Sequence, residues 1–227
     1  MQGLTLKRLF QMPKTTPYLG ILMETGSLPM RDRIAYRKMM LYHNIVNLDG
    51  KRIMKKIVLH QEQHPRPGTW VQCLQELASK YGIELKEAKQ MRKEKWKKKV
   101  KQAVRNGAEI EMRKEMASMT KLRTIKDEDY TMQDYIKLLN EQEASTIMKI
   151  RLHMVQASEN FRRKSGEEEK CPLCLRENDT TEHIFECKSA QTLRKIWDTE
   201  FNHVKSNEIS KLKNTIKYIE AYQKMRK

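Results

Sequence analysis

Apolar positions recur along this chain at three- and four-residue intervals, which predicts a succession of helices. Thr16-Pro17 supplies a cap followed by a proline at the first helical position, and Gly26 supplies a stop, framing the helix PYLGILMET. Pro29 opens a second helix, MRDRIAYRKMMLYHNIV, with Ile34, Tyr36, Met40, Leu41 and Ile45 expected on its inner stripe. After a turn at residues 47–50, a third helix carries Ile53, Met54, Ile57 and Val58. The HPRPG loop follows, and Thr69 is expected to cap WVQCLQELASKYG, whose Val71, Leu74, Leu77, Ala78 and Tyr81 share one face. Cys73 lies beside that stripe and reads as a small buried or half-buried apolar residue.

Residues 85–122 form a long charged segment with Trp96, Val100, Ala103 and Val104 at helical spacing. Asn106-Gly107 is expected to break or kink it, and Ile110, Met112, Met116, Met119 and Leu122 continue the apolar trace. Residues 127–130 are acidic and read as a solvated loop. Thr131 is expected to cap a helix bearing Tyr135, Leu138 and Leu139. The stretch ASTIMKIRLHMVQASENF predicts one helix reaching Phe161. The chain closes with an amphipathic basic tail carrying Leu193, Ile196, Trp197, Phe201, Ile216, Ile219 and Tyr222.

Composition sharpens this picture. Of the 227 residues, 38 % are hydrophobic and 33 % charged, and 8 Gly and 6 Pro leave few helix breakers. The expected fold is mostly α, an extended array of helices with thin cores and a small zinc-stapled knuckle at its C-terminal end. Four segments are expected: 1–62, 63–126, 127–166, and 167–227 with the knuckle and tail. The net charge of +17 calls for an anionic partner, nucleic acid before membrane. No stretch approaches the roughly 18 apolar residues of a membrane span, and the N-terminus does not read as a signal peptide. Cysteines bunched three-to-one imply a reducing compartment, so an intracellular location, nuclear or cytoplasmic, is expected.

That cysteine bunch carries the most specific chemistry. The spacing Cys171-x2-Cys174-x8-His183-x3-Cys187 matches a Cys3His zinc set. Pro172 stiffens the CxxC turn, and His183 and Cys187, four apart, share a helix face that Thr180 or Thr181 can cap and whose first turn Glu182 suits. Asn178 and Asp179 are turn formers between the two pairs. Four protein ligands close the site, which argues for a structural zinc. The competing readings are a redox CxxC, which would need a βαβ context, and incidental cysteines. His203 is a spare ligand candidate, read instead as a surface histidine.

The CPLC, TTEH and Cys187 elements resemble the cysteine-histidine knuckle at the C-terminal end of non-LTR (LINE-type) retrotransposon reverse transcriptases. The upstream Lys149, Arg151 and Asn160 resemble the family's Lys-x-Arg helix with its later Asn. TPYLGILMETGSLPMRDRIAYRKMMLYHNIVN is similar to the thumb-side stretch that follows the polymerase core, and KWKKKVKQAV with the KLR at 121–123 fits the linker region. The resemblance covers roughly residues 17–197, with only the knuckle specific, and implies a piece of a longer element whose polymerase core a full-length parent would supply. The palm motif of a Tyr or Phe followed by x-Asp-Asp is missing, and residues 127–130 do not have that order, so no enzyme activity is expected of this chain.

The function this implies is holding RNA or DNA by its phosphate backbone. Residues 86–101 contain nine Lys or Arg and two Glu, a run suited to salt-sensitive, weakly specific phosphate binding. Lys89, Arg92, Lys93, Lys97, Lys98 and Lys101 are the expected contacts there, with Trp96 read as a core anchor in preference to a base-stacking platform. Arg151 is a further expected contact, and Arg162, Arg163, Lys164, Lys170 and Arg176 surround the knuckle, a known RNA-binding module. The alternatives are a zinc-stapled helical scaffold that docks an acidic partner, and a non-functional relic of an element.

Overall fold

The computed structural model describes residues 2–155 and 170–226. Among them are eleven α-helices: α1 (Gln2–Leu9), α2 (Tyr18–Thr25), α3 (Met30–Val46), α4 (Ile53–Gln63), α5 (Trp70–Lys80), α6 (Lys93–Met116), α7 (Tyr135–Leu138), α8 (Glu141–Arg151), α9 (Thr181–Glu186), α10 (Gln191–Trp197) and α11 (Ile209–Met225). The described residues contain no strand, only one antiparallel bridge between Lys170 and Asn178. The mostly α expectation therefore holds. The four sequence segments are not the compact units, however. Residues 28–115 form one unit; residues 1–27 and 116–227 together form the other.

In the 28–115 unit, Ala35, Met39, Tyr42, Ile45 and Val46 of α3 pack with Val58 of α4, with Val71, Leu74 and Ala78 of α5, and with Trp96, Val100 and Val104 of α6. Trp96 is wholly buried, and its indole N–H donates to the Met39 carbonyl at 3.2 Å, so it is a core anchor as expected. The inner face of α3 is rotated from the predicted stripe. Asp32, Ala35, Met39, Tyr42 and Val46 point inward, while Ile34 and Leu41 are 47 % and 50 % exposed. Asp32 can occupy the inner face because the Tyr81 hydroxyl donates to its Oδ1 at 2.5 Å, so a buried acid takes a place that hydrophobicity alone assigns elsewhere. On α4 only Val58 is buried; Ile53, Met54 and Ile57 face solvent. Cys73 is exposed, contrary to expectation, because α5 turns Val71, Leu74 and Ala78 inward. Thr69 precedes α5 but makes no side-chain cap, its hydroxyl donating instead to the Arg66 carbonyl.

Helix α6 runs unbroken through Asn106-Gly107. Gly107 serves close approach and not a break: a Cβ there would meet Tyr81 Cδ1 at 2.7 Å. Of the continuing apolar trace, Met112 and Met116 are buried and Ile110 is exposed.

In the other unit, Gly26 ends α2 in the left-handed region at φ 58°, as predicted, and a Cβ there would meet the Met132 backbone N at 2.6 Å. Pro17, and not Thr16, is the N-cap of α2. Helix α7 is a single turn whose N-cap position is Asp134 and not Thr131, with no side-chain capping bond; Tyr135 and Leu139 are buried there, but Leu138 is exposed. Asn140 and Glu143 form a capping box at the start of α8. This helix stops at Arg151, and His153 follows at φ 52°, so it does not run on to Phe161 as one helix. Phe161 and Asn160 lie outside the described residues.

Arg151 is 2 % exposed and sits at the centre of a buried charge network. Its Nε donates to both Glu24 carboxylate oxygens at 3.0 Å, one Nη donates to the Val204 carbonyl at 3.1 Å, and the other pairs with Glu128. The Tyr135 hydroxyl donates to Glu24 Oε2 at 2.7 Å. One guanidinium thus ties α2, α7, α8 and the segments around residues 128 and 204 together. Arg151 is not open to a phosphate, which corrects its assignment as a nucleic-acid contact. Glu128 in turn is not part of a merely solvated loop.

Candidate metal centre

The chain leaves the Lys170–Asn178 bridge into a tight turn in which the Leu175 N–H donates to the Cys171 carbonyl at 2.8 Å. Leu175 takes φ 56°, which reverses the chain and returns the Cys171 N–H to the Glu177 carbonyl at 2.8 Å. Thr180 then caps α9, accepting from the His183 N–H at 3.1 Å. The helix carries His183, and Cys187 is its C-cap residue, with its N–H bonded to the His183 carbonyl. The loop and the helix end deliver two ligand pairs to one point.

The Sγ atoms of Cys171, Cys174 and Cys187 and a ring nitrogen of His183 lie within 4.8 Å of one another. Cys171 Sγ and Cys187 Sγ are 3.9 Å apart, and Cys174 Sγ is 3.4 Å from His183 Nε2. A tetrahedral ion with bonds of about 2.3 Å to sulfur and about 2.0 Å to nitrogen separates such atoms by about 3.8 Å and about 3.5 Å. The four residues can therefore hold one metal ion. The other ring nitrogen, His183 Nδ1, is 2.9 Å from Glu177 Oε2. With the proton on Nδ1 donated to this carboxylate, the Nε2 lone pair faces the thiolates, the tautomer a metal requires.

The surroundings prepare the sulfurs unequally. Hydrogen bonds from the backbone N–H groups of Glu177 and Arg176 lower the Cys174 thiol to about 6. Burial works against ionising Cys171, but the Tyr222 hydroxyl and the N–H groups of Cys174 and Leu173 outweigh it, and its pKa falls below the ordinary value. Burial, only partly offset by the Ser189 N–H, raises Cys187 to about 11. A cation would have to displace the Cys187 proton, so binding couples to proton release.

Helix α11 backs the site. The Tyr222 hydroxyl is 3.5 Å from Cys171 Sγ, the Tyr218 hydroxyl donates to the Ile184 carbonyl, and Arg226 grips both Asp179 carboxylate oxygens at 3.0 and 2.6 Å. The basic C-terminal tail is thus a wall of the site. Asp179, 1 % exposed, is an anchor for it and more than a turn former. Glu177, Tyr218 and Tyr222 were missed by sequence reasoning. The two tyrosines carry a legible i, i+4 signal, but nothing in sequence says which face meets the knuckle. His203 stands apart from the cluster, its Nδ1 accepting from the Glu200 N–H at 3.3 Å.

The expected nucleic-acid contacts divide into groups. On and just before α6, Arg92, Lys93, Lys97, Lys98 and Lys101 are exposed and, among the described residues, make no ion pair. Lys89 is bound to Glu62 Oε2 at 2.6 Å. Lys170 is exposed and donates to Asn178 Oδ1 at 2.9 Å. Arg176 and Lys188 line a recess of about 350 Å³ beside Cys174 and Glu177. Arg162, Arg163 and Lys164 lie outside the described residues. No described helix is long and apolar enough to cross a membrane.

No family model, curated protein or solved structure matches this chain.

Proposed function

We propose that this chain is a zinc-stapled, nucleic-acid-holding module resembling the C-terminal part of a non-LTR retrotransposon reverse transcriptase, without catalytic chemistry of its own. The observation that carries the reading is the outer face of α6. Its apolar trace of Trp96, Val100 and Val104 is buried, which leaves Lys93, Lys97, Lys98 and Lys101 in solvent with no acidic partner among the described residues. Charges that a protein does not neutralise internally are available to phosphates, whose counterions they release.

The ion in the cysteine cluster is zinc. Three thiolates and one imidazole at tetrahedral spacing are a standard zinc set and leave no position for a reacting water. The zinc holds the loop bearing Lys170 and Arg176 against α9 and α11, and these cations form a second phosphate contact.

The test is metal stoichiometry together with anisotropy titrations of single-stranded RNA, duplex DNA and a polyanion without bases, across salt. One zinc per chain is expected, lost in Cys174→Ser. Each phosphate neutralised contributes about 0.7 to the salt slope on a single strand, so Lys97→Glu/Lys98→Glu/Lys101→Glu should reduce the slope by about 2. Equal binding of the base-free polyanion would instead favour the scaffold that docks an acidic partner. An unchanged slope in the triple variant would remove α6 from the interface.

A further inference from the structure

Within the unit formed by residues 1–27 and 116–227, the turn after α1, helix α8 and helix α11 line a solvent-open cleft of about 640 Å³. Its floor is apolar: Met12, Met154, Ile216 and Ile219 line it, all of them buried. Three glutamines, Gln11, Gln142 and Gln223, stand around it. Gln11 and Gln142 are exposed and Gln223 is half-buried; their side-chain amides make no hydrogen bond among the described residues, so each has a donor and an acceptor to exchange from water to a ligand. One cation, Lys149, completes the lining. It is half-buried on α8, and its ammonium makes neither an ion pair nor a hydrogen bond among the described residues.

That last feature is unusual. Burial lowers the pKa of Lys149, and no carboxylate among the described residues holds the charge. Glu143 lines the same cleft but is already engaged, accepting from the Asn140 N–H at 3.2 Å and lying 3.9 Å from Lys213 Nζ. Glu220 is at the exposed rim. Ser145 and Thr146 spend their hydroxyls on the carbonyls of Phe10 and Gln142. The groups left without a partner among the described residues are therefore the Lys149 ammonium, the exposed rim carboxylate of Glu220, three amides able both to give and to accept, and an apolar floor. An inorganic anion would use only the first of these. A fatty acid would make no use of the amides.

We propose that this cleft binds one nucleotide, with its phosphate on Lys149, its base laid on the Met12–Ile219 floor, and the base edge read by Gln11, Gln142 and Gln223. It extends the nucleic-acid reading to a site separate from α6, and the ligand is either a free mononucleotide or one nucleotide of a bound strand. The three amides can discriminate edges, which the lysine face of α6 cannot.

The experiment uses the full zinc-loaded chain and four probes: adenosine, cytidine and guanosine 5′-monophosphates, and inorganic phosphate. Binding is measured by calorimetry on the wild type, Lys149→Gln, the rim variant Gln142→Ala/Gln223→Ala, and Lys97→Glu/Lys98→Glu/Lys101→Glu. A charge-assisted contact predicts saturable binding of at least one mononucleotide, weakened about tenfold or more by Lys149→Gln. The rim variant should lose preference among the three bases while still folding, and the α6 variant should bind mononucleotide normally. A 4-thiouridine-containing oligonucleotide, photocrosslinked and mapped by mass spectrometry, distinguishes the two sources. A crosslink to the Met12–Gln223 lining marks a nucleotide of the strand, and free-nucleotide binding without one marks a mononucleotide site. No mononucleotide binding and no such crosslink, alongside intact oligonucleotide binding through α6, overturns the proposal and leaves the α6 reading standing. Equal affinity for inorganic phosphate and mononucleotide overturns it as a nucleotide site.

Discussion

Replacing Arg151 with methionine separates two roles that the sequence cannot distinguish, phosphate contact and internal tie. The methionine side chain would keep much of the volume along the stem but remove every donor. The Val204 carbonyl, buried with that donor at 3.1 Å, loses a partner, and Glu24, 1 % exposed, keeps only the Tyr135 hydroxyl. Glu128 is less affected because its side chain is 21 % exposed and can be rehydrated. Removing one partner of a buried pair costs about 3–5 kcal/mol, which in a chain of this size lowers Tm by roughly 6–20 °C. The cost depends on pH. Burial already raises the Glu24 carboxyl above its ordinary range, and losing the guanidinium raises it further. A carboxyl whose folded pKa lies above its unfolded value stabilises the fold below the unfolded value and loses that contribution as pH rises. The deficit of Arg151→Met is therefore smallest near pH 5 and widens toward pH 8. Differential scanning calorimetry across that range, on Arg151→Met, Glu24→Gln and the double variant, measures it. The double variant should be less damaged than the sum of the singles. A Tm shift under about 2 °C, equivalent to less than roughly 1 kcal/mol, or a deficit independent of pH, would refute the buried-tie argument. A reduced salt slope for nucleic acid in a fully stable variant would restore Arg151 as a phosphate contact.

Other consequences can be measured more simply. Zinc uptake at pH 7.5 should release at least about one proton per ion, from Cys187, because its thiol is held to about 11 while Cys174 is near 6; calorimetry in buffers of different ionisation enthalpy counts it. Glu177→Gln removes the carboxylate that orients His183 and should weaken zinc binding about 10–100-fold in a chelator competition, with the helical circular dichroism unchanged. Gly107→Ala should destabilise the 28–115 unit by roughly 1–3 kcal/mol in urea melts despite alanine's better helix propensity, because its Cβ would press on the Tyr81 ring; stabilisation would show that Tyr81 moves freely.

The Cys3His cluster that can hold a metal ion was readable in the sequence because its information is local. Cys171 and Cys174 lie three residues apart, His183 and Cys187 four apart, and such short separations fix geometry through a turn and a helix. Gly26 was legible for the same reason, since a helix stop needs only a residue that tolerates the left-handed region. Gly107 was misread because the same residue type serves close packing, and its partner Tyr81 is distant in sequence. The α3 stripe was misread because Ile34 and Leu41 are as apolar as Met39 and Ala35; only the elements packed against the helix decide which side is inside.

What the sequence by itself determined is therefore the helical class, the four residues that can hold a metal ion and the presence of a large positive net charge. These follow from periodicity, short spacings and composition, none of which requires knowing what lies across the core. Only the tertiary structure decided that Arg151 is spent on Glu24 and Glu128 while the lysines of α6 face water, and that Tyr222 closes over Cys171. Glu24 and Arg151 are 127 positions apart, and Cys171 and Tyr222 are 51 apart. Contacts at such separations are fixed by packing many side chains at once, and no local pattern records their outcome.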